Sequence, residues 1–160
     1  MTRNYAARRH VRAKVIGAVG FAAVACTSAL PAAASASPTL TPLCTITYPD
    51  PGHPTLPERS AVSTSSAGTG ATTFTFHTLS TTQTPYSQYA SVTWANLSTG
   101  RTGGGWDTRV ETAISRGLFT VTLPVQTVGA GRIAVVASVS NTAANGWQSN
   151  LDCSAEYTAH

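Results

Sequence analysis

The chain has 160 residues, with ten Lys/Arg against six Asp/Glu for a formal charge of +4, and 42% apolar against 10% charged side chains. Half of the bases (Arg3, Arg8, Arg9, Arg12 and Lys14) crowd its start. Without them, Arg59, Arg101, Arg109, Arg116 and Arg132 face six acids with no lysine, a balance of −1 that excludes the basic surface a nucleic acid or anionic lipid requires.

Those five bases open the first predicted element, a cleaved signal peptide over residues 1–36. They form its positive region, Val15 to Ala25 is the apolar run, and Ala34-Ser35-Ala36 is a small-x-small cleavage site ahead of Ser37-Pro38. Cleavage leaves a short extension, 37–42, and a secreted domain, 43–160, large enough for its own core. Three alternatives compete with this reading. Ala23-Val24-Ala25 before Cys26 loosely resembles a lipobox, which would anchor the protein to the membrane at the cell envelope through a lipidated Cys26. Arg8-Arg9 resembles a twin-arginine signal, but His10-Val11-Arg12 does not continue the pattern. Residues 15–34 are long enough to span a bilayer, yet Thr27, Ser28 and Pro31 interrupt them.

Beyond the leader the periodicity is two. Cys44, Ile46 and Tyr48 alternate with threonines, as do Phe74 and Phe76. Further alternating runs are Ala90-Val92-Trp94, Phe119-Val121-Leu123, Ile133-Val135-Ala137-Val139 and Leu151-Cys153-Ala155-Tyr157. Apolar-in, polar-out alternation rich in Thr, Val and aromatics predicts half-buried strands. Thr108 to Arg116, the nearest approach to a helical stripe, is short, β-branched and closed by Gly117. Turn signals separate the runs: prolines over 49–57, a polar loop over 80–87, a glycine-rich turn over 100–105, a tight turn at 129–131, and a longer loop over 141–150 holding Asn145-Gly146. The expected fold is all-β, an antiparallel two-sheet sandwich of about seven or eight strands.

Trp94, on a central strand, resembles the core tryptophan of immunoglobulin-like domains. The likeness covers the architecture of most of residues 43–160 and is weak in motif. Cys44 precedes Trp94 by too many residues to bracket it closely, and Leu151 stands where a tyrosine would precede the second cysteine. An immunoglobulin-like sandwich is therefore expected, without membership of the true immunoglobulin family. Thr/Ser-rich strands, an arginine-only basic set and an alanine-rich leader also resemble, in style, small secreted proteins of actinobacteria.

With Cys26 gone in the leader, Cys44 and Cys153 remain near the two ends of the domain. In an oxidising compartment they are expected to pair, joining the first strand to the last.

No nucleophile elbow, no metalloprotease helix motif and no free thiol after that pairing point to hydrolysis. His53 and Asp50 flank a Pro-Gly turn, too few ligands for a metal site, and His77 alternates outward. No catalytic residue, metal or cofactor is expected. Aromatic rings in loops are the better lead. The loop before the Trp94 strand and the loop over 141–150 should open at one end of the sandwich. They would bring Tyr86 and Tyr89 near Trp147, with Gln148, Asn145 and Asn150 as amide partners. Trp106 should sit at the other end. Arg101 and Arg109 should pair with Asp107 and Glu111 across a hairpin as surface chemistry. Asn96-Leu97-Ser98 matches a glycosylation sequon.

The leading expectation is thus a secreted, non-catalytic module that binds a glycan or a protein. A small secreted hydrolase or enzyme inhibitor is the rival. Self-association through threonine-rich edge strands is a third reading.

Overall fold

The computed structural model describes residues 39–160. The signal peptide expected over 1–36, its cleavage at Ala36 and the lipidation of Cys26 fall outside those residues.

Ten strands follow in chain order: β1 (Thr41–Asp50), β2 (His53–Gly68), β3 (Ala71–Ser80), β4 (Tyr86–Asn96), β5 (Thr102–Gly104), β6 (Val110–Ile114), β7 (Gly117–Thr122), β8 (Gln126–Thr127), β9 (Gly131–Ala143) and β10 (Gln148–Ala159). They form two antiparallel sheets. One has the order β1-β2-β3-β7 with β8 also on β3, and the other has the order β10-β9-β4-β5 with β6 also on β4. The molecule is the two-sheet sandwich that its period-two pattern predicts. Thr41 and Pro42 already pair with Thr64 and Ser63, so the first strand starts two residues inside the expected extension. Val110 to Ile114, within the nearest helix candidate, pairs with β4 as strand β6.

Alternation decides what each strand buries. Ile46, Val62, Phe74 and Phe76 of the first sheet meet Val92, Trp94, Val135 and Val139 of the second in one apolar core. Toward the β3–β4 end the inward positions turn polar. Gln88 and Asn141, register partners on β4 and β9, are both buried. The Gln88 amide donates to Asn141 Oδ1 at 2.9 Å and to the Tyr48 hydroxyl at 2.8 Å, and its Oε1 accepts from Thr78 at 3.0 Å. Ser60 lies 2.7 Å from Thr78 and 3.2 Å from Tyr48. A closed network lets these buried groups avoid the penalty of about 1–3 kcal/mol for each orphaned one.

This layer explains why β2 carries so little apolar signal. Its inward residues are Glu58, Ser60, Val62 and Thr64, and only the valine joins the apolar core. Pro54 and Pro57 fit within β2 because β3 pairs with it only from Arg59 onward, leaving the earlier residues a single neighbour.

A disulfide joins Cys44 of β1 to Cys153 of β10, 109 residues apart. β1 and β10 are edge strands of different sheets, so the bond closes one side of the sandwich. The Asn96-Leu97-Ser98 sequon match does not present an acceptor. Asn96 is fully buried, and its amide nitrogen donates to the carbonyls of Val128 and Ala130.

Two stability predictions follow from this architecture. Replacing both Cys44 and Cys153 by Ala should cost about 3–5 kcal/mol in denaturant unfolding, given the length of loop released. The Tyr86 phenol is pushed far up, chiefly by burial and then by Tyr48 beside it, and Tyr157 is raised by burial. A folded-state pKa raised above the unfolded value of about 10 favours the native state fully below that pH and progressively less above it. Stability should therefore fall as pH rises past about 10, with a shallower fall in Tyr86→Phe, read by chemical unfolding at each pH beside the phenolate absorbance.

Candidate functional site

Strand β4 sorts the aromatic candidates. Its even-numbered residues from Tyr86 to Asn96 are buried, and its odd-numbered residues from Ser87 to Ala95 face outward. Tyr86 and Tyr89 are three residues apart and so lie on opposite faces. This corrects the expectation of a shared surface cluster. Tyr86 is only 4% exposed, and its hydroxyl lies 3.2 Å from that of Tyr48. Trp147 is half-buried in the β9–β10 turn, its backbone N–H bonded to Asn145 Oδ1 at 3.0 Å. That turn spans only residues 144–147, because β9 runs on to Ala143 and β10 starts at Gln148. Tyr86 pairs with Ala143, so the β3–β4 and β9–β10 connections do share one end of the sandwich. Of the three rings placed there, Trp147 lies at that end, whereas Tyr86 is buried in the core and Tyr89 faces outward from β4.

What the structure assembles is a site on the outer face of the second sheet. Register lines up outward side chains in rows: Glu111, Tyr89, Ser140 and Asn150 in one, then Ser91, Ser138 and Asp152 in the next. Gln148 stands one row further out, across from Thr142. Tyr89, Ser91, Ser138, Ser140 and Asn150 of these rows floor a shallow hollow of about 320 Å³ with Asp152 at its β10 edge, while Glu111 and Gln148 lie outside its lining.

Its wall is Trp106, 80% exposed. Sequence reading placed this ring at the far end of the sandwich. It lies instead beside the middle of β4, on a one-turn 3-10 helix (Gly105–Thr108) between β5 and β6. Two features hold that turn. Thr108, fully buried, occupies the gap on β4 between Tyr86–Ala90, which pair with β6, and Thr93–Ala95, which pair with β5. Val92 N–H donates to its hydroxyl at 3.0 Å, and the hydroxyl lies 3.0 Å from Val92 O and 2.8 Å from Gly105 O. A side chain here does the work of a missing strand. Gly104 has φ of 89°, and a Cβ there would stand 2.1 Å from Val92 O. Only glycine lets the chain cross β4 at that distance.

Arg109 follows directly. Its guanidinium sits over the Tyr89 ring at 3.7 Å from the centroid and over the Trp106 ring at 4.3 Å. The expected hairpin ion pairs do not form. Among the described residues the ion pair is Arg132–Glu156 at 3.3 Å. Glu111, the cross-strand partner of Tyr89, is instead the largest cause of a raised phenol pKa there, through hydrogen-bonding of the neutral phenol and ahead of desolvation, while Arg109 opposes the rise. The stack fixes both rings and leaves most of Trp106 open to solvent.

The remaining polar candidates stay apart from this site. His53 bonds Thr55 at 2.9 Å, and His77, outward on the first sheet, lies 3.2 Å from Thr120. Asp50 points inward, away from His53, accepting from Gly52 N–H at 2.7 Å and from Thr82 at 2.9 Å. Among the described residues no three His, Cys, Asp or Glu side chains gather to hold a metal ion.

Of the sequence-predicted residues, Tyr89 and Gln148 therefore face one surface, Tyr86 belongs to the core, and Trp147 lies in the turn. Trp106, Arg109, Ser138, Ser140 and Asp152 were not expected there. A sequence signal for the serines and Asp152 existed. They are the outward positions of the same alternation that locates the core.

Gly104→Ala should cost about 1–3 kcal/mol in thermal or denaturant unfolding, because an L side chain is strained at that φ and meets backbone. It should also change the tryptophan emission as the turn carrying Trp106 shifts, while Gly100→Ala, strained likewise at a φ of 75° but with nothing near its Cβ, leaves that emission unaltered. Compared with protein-family models and with curated proteins, the chain matches none.

Proposed function

We propose that this protein is a secreted, non-catalytic β-sandwich module that binds glycan on the outer face of its second sheet. The observation that carries the reading is the exposed Trp106 ring, held in place with Tyr89 by Arg109, above a floor of hydroxyl and amide groups. A sugar ring presents an apolar face of C–H groups and a rim of hydroxyls. Such a ligand needs an immobilised aromatic platform and several neutral hydrogen-bonding groups rather than a deep apolar pocket.

The floor suits a glycan better than a protein partner. Ser91, Ser138 and Ser140 are too small to serve as buried anchors, which carry most protein–protein affinity. Secretion is supported by the disulfide, a bond that persists in oxidising compartments. Among the described residues no helix is long and apolar enough to cross a membrane.

Trp106→Ala tests the proposal. It should abolish retention on insoluble polysaccharide, with cellulose and chitin as probes, while changing unfolding free energy by less than about 0.5 kcal/mol, as expected of an exposed side chain. Trp147→Ala serves as the comparison and should retain binding. Retention unchanged in Trp106→Ala would remove the ring from any binding role.

A further inference from the structure

A second hollow, of about 530 Å³, lies on the same outer face. Its floor is made by Thr93 and Ala95 of β4 and by Ala134 and Val136 of β9. Register makes it a direct continuation of the first. After the row of Ser91, Ser138 and Asp152 come Thr93, Val136 and Ser154, then Ala95, Ala134 and Glu156. No bulky side chain separates the two hollows, and no break in the register of β4, β9 or β10 interrupts the rows.

Building on the glycan reading above, we infer that the site is a groove for an extended, uncharged polysaccharide chain running parallel to the strands, of the flat β-1,4-linked type. Three observations set that choice. The first is length. From Tyr89 to Ala95 the strand rise gives a floor of roughly 20 Å, room for about four pyranose rings end to end. The second is shape. Three neighbouring strands give a floor roughly 10 Å wide, and past Tyr89 its residues on β4 and β9 are Ser, Thr, Ala and Val, so a single ribbon-like chain fits where a helical one would touch only in places.

The third is charge. Arg109 stands on one side of the first hollow and Asp152 on the other, and Glu156, beside the second hollow, is already paired with Arg132. The floor between them carries no charge. A polyanion meets Asp152 and Glu156, and a polycation meets Arg109 at the aromatic platform, whereas a neutral chain is repelled at neither end. Trp106 then stacks one ring, and the more apolar second hollow takes the rings that follow. Val136, 41% exposed, would be covered by them.

The test is a chain-length series on the purified protein by calorimetry, with cello- and chito-oligosaccharides of two to six units and malto-oligosaccharides as the helical contrast. Affinity should rise about tenfold or more from the disaccharide to the tetrasaccharide, level off beyond about five units, and stay undetectable for the malto series. Val136→Arg, and independently Thr93→Arg, fill the second hollow. Each should reduce hexasaccharide affinity to that of the disaccharide and leave disaccharide affinity unchanged. Disaccharides binding as tightly as hexasaccharides, unaffected by either arginine, would overturn the extended groove and leave the single-platform glycan site standing. Failure of every chain to bind would overturn both.

Discussion

The outer site and the core share one strand, and the two-residue period of β4 ties them together. Each residue from Tyr86 to Asn96 serves either the packed interior or the open face, and none serves both. Inward Trp94 is large enough that a Cβ on its cross-strand partner Gly103 would stand 2.6 Å from its ring. Outward Tyr89 is positioned because Ala90 and Gln88 on either side are buried and fixed. The rigidity of the platform is borrowed from the core behind it. A shift of one residue in the β4–β9 register would exchange the two faces entirely.

The interior is divided along the strands. At one end large apolar side chains interdigitate. At the other, Tyr48, Ser60, Thr78, Gln88 and Asn141 form a hydrogen-bonded layer linking the sheets, and Asn141 passes it on to Ser149 of β10 at 3.2 Å. Directional bonds between sheets discriminate against slipped registers more sharply than apolar contacts do, since a slip leaves several buried groups without partners. Asp50 and Glu58 flank this layer, each with one carboxylate oxygen bound to the segment at Thr81 and Thr82. The disulfide complements the layer by closing the β1–β10 side of the sandwich.

The Trp106 wall of the hollow depends on the turn between β5 and β6 rather than on a regular strand. β4 exchanges one short neighbour for another, β5 for β6, and the chain between them forms the turn that carries Trp106. Buried Thr108 satisfies the backbone groups of Val92 that the exchange would strand, and Gly104 permits the crossing. Arg109 then extends over both rings. Trp106 is thereby exposed yet held by the Arg109 stack, which would limit the side-chain ordering that the proposed binding requires.

The strands rich in Val, Phe and Ile were legible in the sequence because alternation over six or more residues admits one geometry. The all-β class, the sandwich and the linking of first strand to last follow from that pattern and from two cysteines. Strand β2 was not legible, because its inward residues are polar and their partners lie on β1, β3 and β4. The candidate face was legible in part. Outward positions follow from period two, and on that rule Tyr86 and Tyr89 already fall on opposite sides. Nothing local places Trp106 beside Tyr89 or turns Arg109 from an ion pair into a stack over two rings. Those neighbours are brought together by the exchange of β5 for β6 along β4. The sequence alone determined which side of each strand faces water, since that depends on a residue's immediate neighbours. Which exposed side chains meet depends on pairing between distant segments, and only the tertiary structure decided it.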